Sequence, residues 1–221
     1  MLSITLFPVF AKEQAEFPGR RVGGGTRGEC DDTEAGAFVA LNPASHLGVT
    51  HQERPTLYFA VSESAETYEV RLALLNSVEP DLGHNMLYET TLEVGDEREL
   101  IGIQLPENLL LEGQYYLWQF VVICEPDDPS RNIVLEGWIA KEATDTTTAI
   151  ADFSPVEGLA QAQRYQTAGL WLDAIALSIE LLESDPHLEA VQTQWSQLLQ
   201  ALELDAVLDD PLAVRPLGDL N

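Results

Sequence analysis

The sequence predicts a mainly β chain with an α-helical unit at its C-terminal end. Between Ala37 and Glu142, short runs rich in apolar residues are separated at regular spacing by turn residues, and after Ile150 the apolar period lengthens from two residues to about 3.6. The third observation is the run Tyr115 to Cys124, YYLWQFVVIC. In an extended chain its Tyr116, Trp118, Phe120, Val122 and Cys124 fall on one face, and Tyr115, Leu117, Gln119, Val121 and Ile123 on the other. Aromatic and β-branched throughout, without Pro or Gly, it belongs in the middle of a covered sheet.

Residues 1–15 have two readings. Leu2 to Ala11 is an apolar run with a small-residue exit, as in the back half of a truncated signal peptide, but it has no positive n-region and also fits a hydrophobic N-terminal strand. Residues 16–36 form a Gly/Arg-rich arm with Gly23, Gly24 and Gly25 in succession. No strand precedes it and no Gly-Lys-Ser/Thr ending follows, so a phosphate loop is excluded. Its Arg20, Arg21 and Arg27 are expected to lie on the protein's own acidic surface.

Within 37–142 the pattern predicts strands at Phe38 to Leu41, Leu57 to Val61, Tyr68 to Leu75, Leu87 to Val94, Leu100 to Leu105, Tyr115 to Cys124 and Ile133 to Lys141. Gly95-Asp96 has the form of a two-residue hairpin turn. Leu110, Gly113 and Tyr116 have the spacing of a tyrosine corner, which favours an immunoglobulin/fibronectin-like β-sandwich over a barrel.

A Thr-rich linker, 143–152, leads to a helical unit at 153–208. Ser154-Pro155-Val156-Glu157 supplies an N-cap, Pro at the first helical position and the Glu of a capping box. A second helix carries Trp171, Ala174, Ile175, Ser178, Leu181 and Leu182 on one stripe. A third starts at Asp185-Pro186 and carries Leu188, Val191, Trp195, Leu198, Leu199 and Leu202. Ala162, Tyr165, Ala174 and Pro186, with Gly169 between the helices, match one tetratricopeptide-like hairpin plus a capping helix. Trp171 is expected to anchor this unit, at a cost of about 3–5 kcal/mol on truncation to Ala if buried. Residues 209–221, with Pro211, Pro216 and Gly218, are expected to be a loose tail.

The 221 residues include 37 Asp and Glu against 11 Lys and Arg, a formal net charge of -26. That field repels phosphate backbones and anionic lipid heads, which argues against nucleic acid and membrane surfaces as partners. After the first residues no stretch is long and apolar enough to insert in a bilayer. His46, His51, His84 and His187 lack a metal-ligand spacing, there is no Gly-x-Ser-x-Gly elbow, and neither cysteine has a neighbouring His. Glu125, Asp127 and Asp128 could form a hydrolase carboxylate pair, but the turn EPDDPSR needs Asp and Pro in any case. Cys30 and Cys124 lack CxxC spacing, which leaves two buried thiols in a cytosolic protein or one disulfide in an oxidising compartment.

GRRVGGGTRGEC, the segment His46 to Val61 and the segment Tyr116 to Ile139 resemble the cyanobacterial family catalogued as domain of unknown function 928. The similarity extends to Gly169-Leu170-Trp171-Leu172-Asp173-Ala174 in the helical end. The resemblance implies signal-peptide-bearing relatives and carries over no catalytic residue. With both cysteines in these motifs and an apolar leader ahead, a Cys30–Cys124 disulfide is predicted, worth about 4 kcal/mol in the chain-entropy model. Such a bridge draws Asp31 and Asp32 toward Glu125, Asp127 and Asp128. Arg27 and Arg131 are expected to offset the repulsion, and a calcium ion is the sharper alternative.

The resulting expectation is an exported cell-envelope protein, periplasmic or extracellular, that binds a protein partner without catalysis. The alternatives are a hydrolase-like enzyme and a cytoplasmic repeat-type scaffold.

Overall fold

The computed structural model describes residues 17–23, 30, 37–63, 67–76, 85–95, 98–143 and 154–205, and the backbone of 213–217. Its strands are β1 (Val22–Gly23), β2 (Phe38–Ala40), β3 (Leu47–Thr50), β4 (Thr56–Val61), β5 (Tyr68–Asn76), β6 (Met86–Val94), β7 (Glu99–Gln104), β8 (Tyr115–Ile123), β9 (Ile133–Lys141) and β10 (Ala213–Leu217). Three helices follow β9: α1 (Pro155–Ala168), α2 (Trp171–Ser184) and α3 (Glu189–Ala201). The strands form two five-stranded sheets, ordered β3-β9-β8-β5-β6 and β1-β2-β4-β7-β10. All seven expected strands are present, with ends displaced by at most one residue.

The core lies between the sheets, and β8 is the middle strand of the first. Its even-numbered residues Tyr116, Trp118, Phe120 and Val122 are all at most 3% exposed. Across the gap, Phe59 of β4 stacks on Phe120 with centroids 4.1 Å apart and meets Trp118 edge-on at 5.6 Å. A Cβ on Gly137 of β9 would sit 2.5 Å from Trp118 Cζ2, so only Gly lets the indole lie there. The corner ahead of β8 is closed by Tyr116, whose hydroxyl accepts a hydrogen bond from the Leu111 N–H at 3.0 Å. Gly113, at φ +72°, makes the turn between them.

The Gly95-Asp96 hairpin does not form, because β6 and β7 belong to different sheets. The reason lies in the burial of the two strands. β7 is buried at five of its six positions and lies between β4 and β10, whereas β6 is an alternating strand that, among the described residues, pairs only with β5. Gly95, at φ 112°, begins a crossing between sheets, and Asp96 lies outside the described residues.

Three strands escape the alternation rule. β1 has two residues; β3 is short and contains Gly48, where a Cβ would come within 2.9 Å of Leu172 Cγ on α2. The third corrects the expected loose tail: Ala213–Leu217 pairs in parallel with β7. Pro216 forgoes a donor, which an edge strand tolerates.

α1 begins where Ser154 donates from both its N–H and its hydroxyl to Glu157, and ends at Gly169 in the left-handed region, φ 79°. The single stripe expected for α2 is too narrow. Leu172, Leu177 and Ile179 are buried along with Ala174, Ile175 and Leu181, because α2 packs against β3 and β4 as well as α1 and α3. Trp171, the first residue of α2, is partly buried and packs against the core. α3 starts at Glu189, past the Asp185-Pro186 turn, and Leu188 just before it is exposed. Among the described residues no helix is long and apolar enough to cross a membrane.

Candidate functional site

The arm reaches both sheets. Phe17 N–H donates to Ser45 O, and Arg20 exchanges backbone hydrogen bonds of 2.8 and 2.9 Å with Glu136 of β9. Two residues on, β1 pairs with β2 in the opposite sheet. Cys30 then joins Cys124, at the end of β8, in a disulfide whose Cα atoms are 5.2 Å apart, within the normal span. Neither cysteine exceeds 4% exposure.

Arg21, one of the arm's basic residues, bolts three parts together. Its Nη1 donates to the carbonyls of Asn42 at 2.9 Å and Leu202 at 2.5 Å. Leu202 caps the C-terminus of α3, where unpaired carbonyls attract a cation. Burial pushes the guanidinium pKa down, and the Glu203 carboxylate opposes that push.

The turn after Cys124 is organised by its own side chains. Asp128 Oδ1 accepts from the Ser130 N–H at 3.1 Å and the Ser130 hydroxyl at 2.6 Å, capping a 3-10 turn at Pro129–Arg131. Those bonds, the hydroxyl first, hold its pKa below the usual carboxylate range. Glu125 pairs with Arg131. Asn132 Oδ1 accepts from the Cys124 N–H at 3.2 Å, tying the turn to β8. Asp127 is exposed, and Arg27, Asp31 and Asp32 lie outside the described residues. Among the described residues no three His, Cys, Asp or Glu side chains gather as a metal would require.

A second polar centre joins the helices to the sheets and had no signal in the sequence. Asp173, with no exposed surface, accepts from Thr50 Oγ1 at 3.0 Å and from the His51 N–H at 2.9 Å. Burial raises its pKa, while the His51 N–H and the Thr50 hydroxyl pull it back. In sequence it is an ordinary acid in the first turn of a helix, more than a hundred residues from its donors. Nearby, Lys141, 9% exposed at its side chain, pairs with Glu53 at 2.6 Å. The remaining histidines are scattered: His46 has φ 61°, His187 is exposed between α2 and α3, and His84 is outside the described residues. Asp173 and Arg21 tie separate elements together, and Asp128 and Glu125 order their own turn.

The molecule is therefore a two-sheet β protein with a docked helical unit and an N-terminal arm linked to its central strand by a disulfide. Residues 22–212 match the family model Domain of Unknown Function (DUF928), and the chain belongs to that family. No curated protein matches it. Among solved structures, a superoxide reductase (neelaredoxin) from Ignicoccus hospitalis is similar at 12% identity and a TM-score of 0.31, covering 48% of this chain and 80% of that one.

Proposed function

We propose that this is an exported protein of the cell envelope, periplasmic or extracellular, that binds another protein without catalysing a reaction. The observation that carries the reading is the Cys30–Cys124 bridge, since a disulfide between buried cysteines persists in an oxidising compartment and is rare in the cytosol. The two-sheet unit is read as immunoglobulin/fibronectin-like, supported by the Tyr116 corner. The first two helices are read as a tetratricopeptide-like hairpin, supported by buried Ala162, Tyr165 and Ala174 around Gly169. Both architectures serve as binding modules in many proteins, though fold alone assigns no ligand.

The test is fractionation of cells expressing a tagged chain, followed by affinity capture from the envelope extract. The expected result is recovery in the extracytoplasmic fraction with a protein bound in constant proportion. Recovery in the cytosol would favour the repeat-type scaffold, and turnover of a substrate by the purified chain would favour the hydrolase-like enzyme.

A further inference from the structure

β6 is nine residues long, contains neither Pro nor Lys, and closes the first sheet. Among the described residues nothing pairs with its other edge. Its first residues, Met86 and Leu87, are 55% and 41% exposed. Met86 lies opposite Leu75 of β5, and Leu75 opposite Leu117 of β8. Two residues from Leu117 on the same face stands Tyr115, 48% exposed, and Leu111 in the preceding turn is 59% exposed. Four of the six exposed large apolar side chains among the described residues thus collect at this end of the first sheet.

Farther along the same two strands the outward face turns acidic. Glu69, Glu89 and Glu93 share it with Arg71, which pairs with Glu89 at 3.6 Å. Glu69 and Glu93 are direct cross-strand partners, and this stretch of the face carries three carboxylates to one guanidinium. The whole chain carries -26.

We propose that β6 takes up an extended segment of a partner protein as an added strand, apolar where it meets Met86 and Leu87 and rich in Lys or Arg where it meets Glu89 and Glu93. This rests on the reading of the protein as a binding module and assigns the surface that does the binding. Each attribute of the partner follows from one observation. The unpaired edge calls for an extended chain, the exposed Met86 and Leu87 at the start of β6 for apolar residues, and the acidic stretch for basic ones. A second copy would set two chains of -26 against each other, so it is the wrong occupant.

The probe is a capped nine-residue peptide, alternating Val and Thr in one half and Lys and Thr in the other, labelled for fluorescence anisotropy. The expected result is binding that weakens with salt, is at least about tenfold tighter than for the same peptide with Glu in place of Lys, and is lost when alternate peptide nitrogens are methylated. Leu87→Lys should weaken binding by at least about tenfold while its unfolding midpoint stays that of the parent, since Leu87 is exposed. Equal affinity for the Lys and Glu peptides, or for the parent and Leu87→Lys, would overturn the proposal. A photo-crosslinking residue at position 87, with another at position 197 on α3, separates failure of this surface from failure of the module reading. Crosslinking from 87 to an apolar and basic segment supports the proposal. Crosslinking only from 197, or from 87 to a second copy or an acidic segment, overturns it and leaves the module reading standing, whereas no crosslink from either position counts against both.

Discussion

The arm and the helical unit are both fastened to the same two sheets, the arm by backbone hydrogen bonds and a disulfide, the helical unit by apolar packing and side-chain hydrogen bonds. Among its described residues the arm contributes a two-residue strand, the Arg20–Glu136 backbone pair and the Phe17 ring 5.1 Å from Tyr115, and the Cys30–Cys124 bridge adds a covalent tie. The helical unit brings buried Ala162, Tyr165, Leu172, Ile175, Val191 and Leu198. Its polar ties at Arg21 and Asp173 therefore have mainly to orient a unit that packing already holds. The helical unit, with its own buried apolar side chains, carries ties that give direction, and the arm carries the covalent one.

The largest effect should come from breaking the covalent side. Replacing both cysteines, Cys30→Ala with Cys124→Ala, avoids a stranded thiol and should lower stability by about 4 kcal/mol, read from urea unfolding, because the bridge closes 94 residues. Amide exchange at Val22 and Gly23 should quicken more than exchange in α2. Uniform quickening would show that the arm is not separately held.

On the hydrogen-bonded side, Arg21→Ala removes charge-assisted bonds to two carbonyls and should cost about 2 kcal/mol. Exchange should quicken around Leu202 at the end of α3, and Arg21→Lys should restore only part of the loss, since one ammonium replaces a planar fork. If Arg21→Ala moved only the arm, the bond to Leu202 would have no energetic weight.

Asp173→Asn sharpens the comparison through pH, with a smaller effect. The folded pKa of Asp173 is raised, so its contribution to stability is fully present below the unfolded value of about 3.9 and is lost as pH rises through the folded value. Asn keeps an acceptor for Thr50 and His51 without a charge to bury. The variant should therefore gain on the parent as pH rises from about 4 toward 7, measured as the difference in urea midpoints. A constant difference over that range would contradict the burial of the charge.

The smallest expected effect concerns the turn beside the disulfide. Because Glu125 is paired with Arg131 and Asp128 with Ser130, thermal unfolding in millimolar calcium, magnesium or chelator should give equal midpoints. Asp127→Asn with Asp128→Asn should leave them equal. A midpoint raised by calcium alone would return Asp31 and Asp32 to a site.

What could be read in advance follows the range of the interaction. Strand alternation and capping are local, so the seven strands and the Ser154 start of α1 were legible, and so was the Tyr116 corner five residues from Leu111. Pairing is not local. β6 and β7 looked like a hairpin because only their separation was visible, not the cover that the buried faces of β7 require. α2 failed in the same way: its stripe was read for one packing surface, and Leu172, Leu177 and Ile179 are buried because there are two. Asp173 and Arg21 were hidden because their partners, Thr50 and Leu202, lie more than a hundred residues away. The Cys30–Cys124 bridge was legible from three things together: there are only two cysteines, both lie in the motifs that carry the family resemblance, and an apolar run precedes them.

The central claim, an exported protein held by its disulfide, is tested most directly on the protein taken from its native host. Cells are quenched in acid, thiols are blocked with an alkylating reagent before any reduction, and the intact mass is read. The account predicts no added alkyl group before reduction and two after it, from Cys30 and Cys124. Two alkyl groups on the unreduced chain would mean free thiols in the cell, and would contradict both the bridge and the compartment inferred from it.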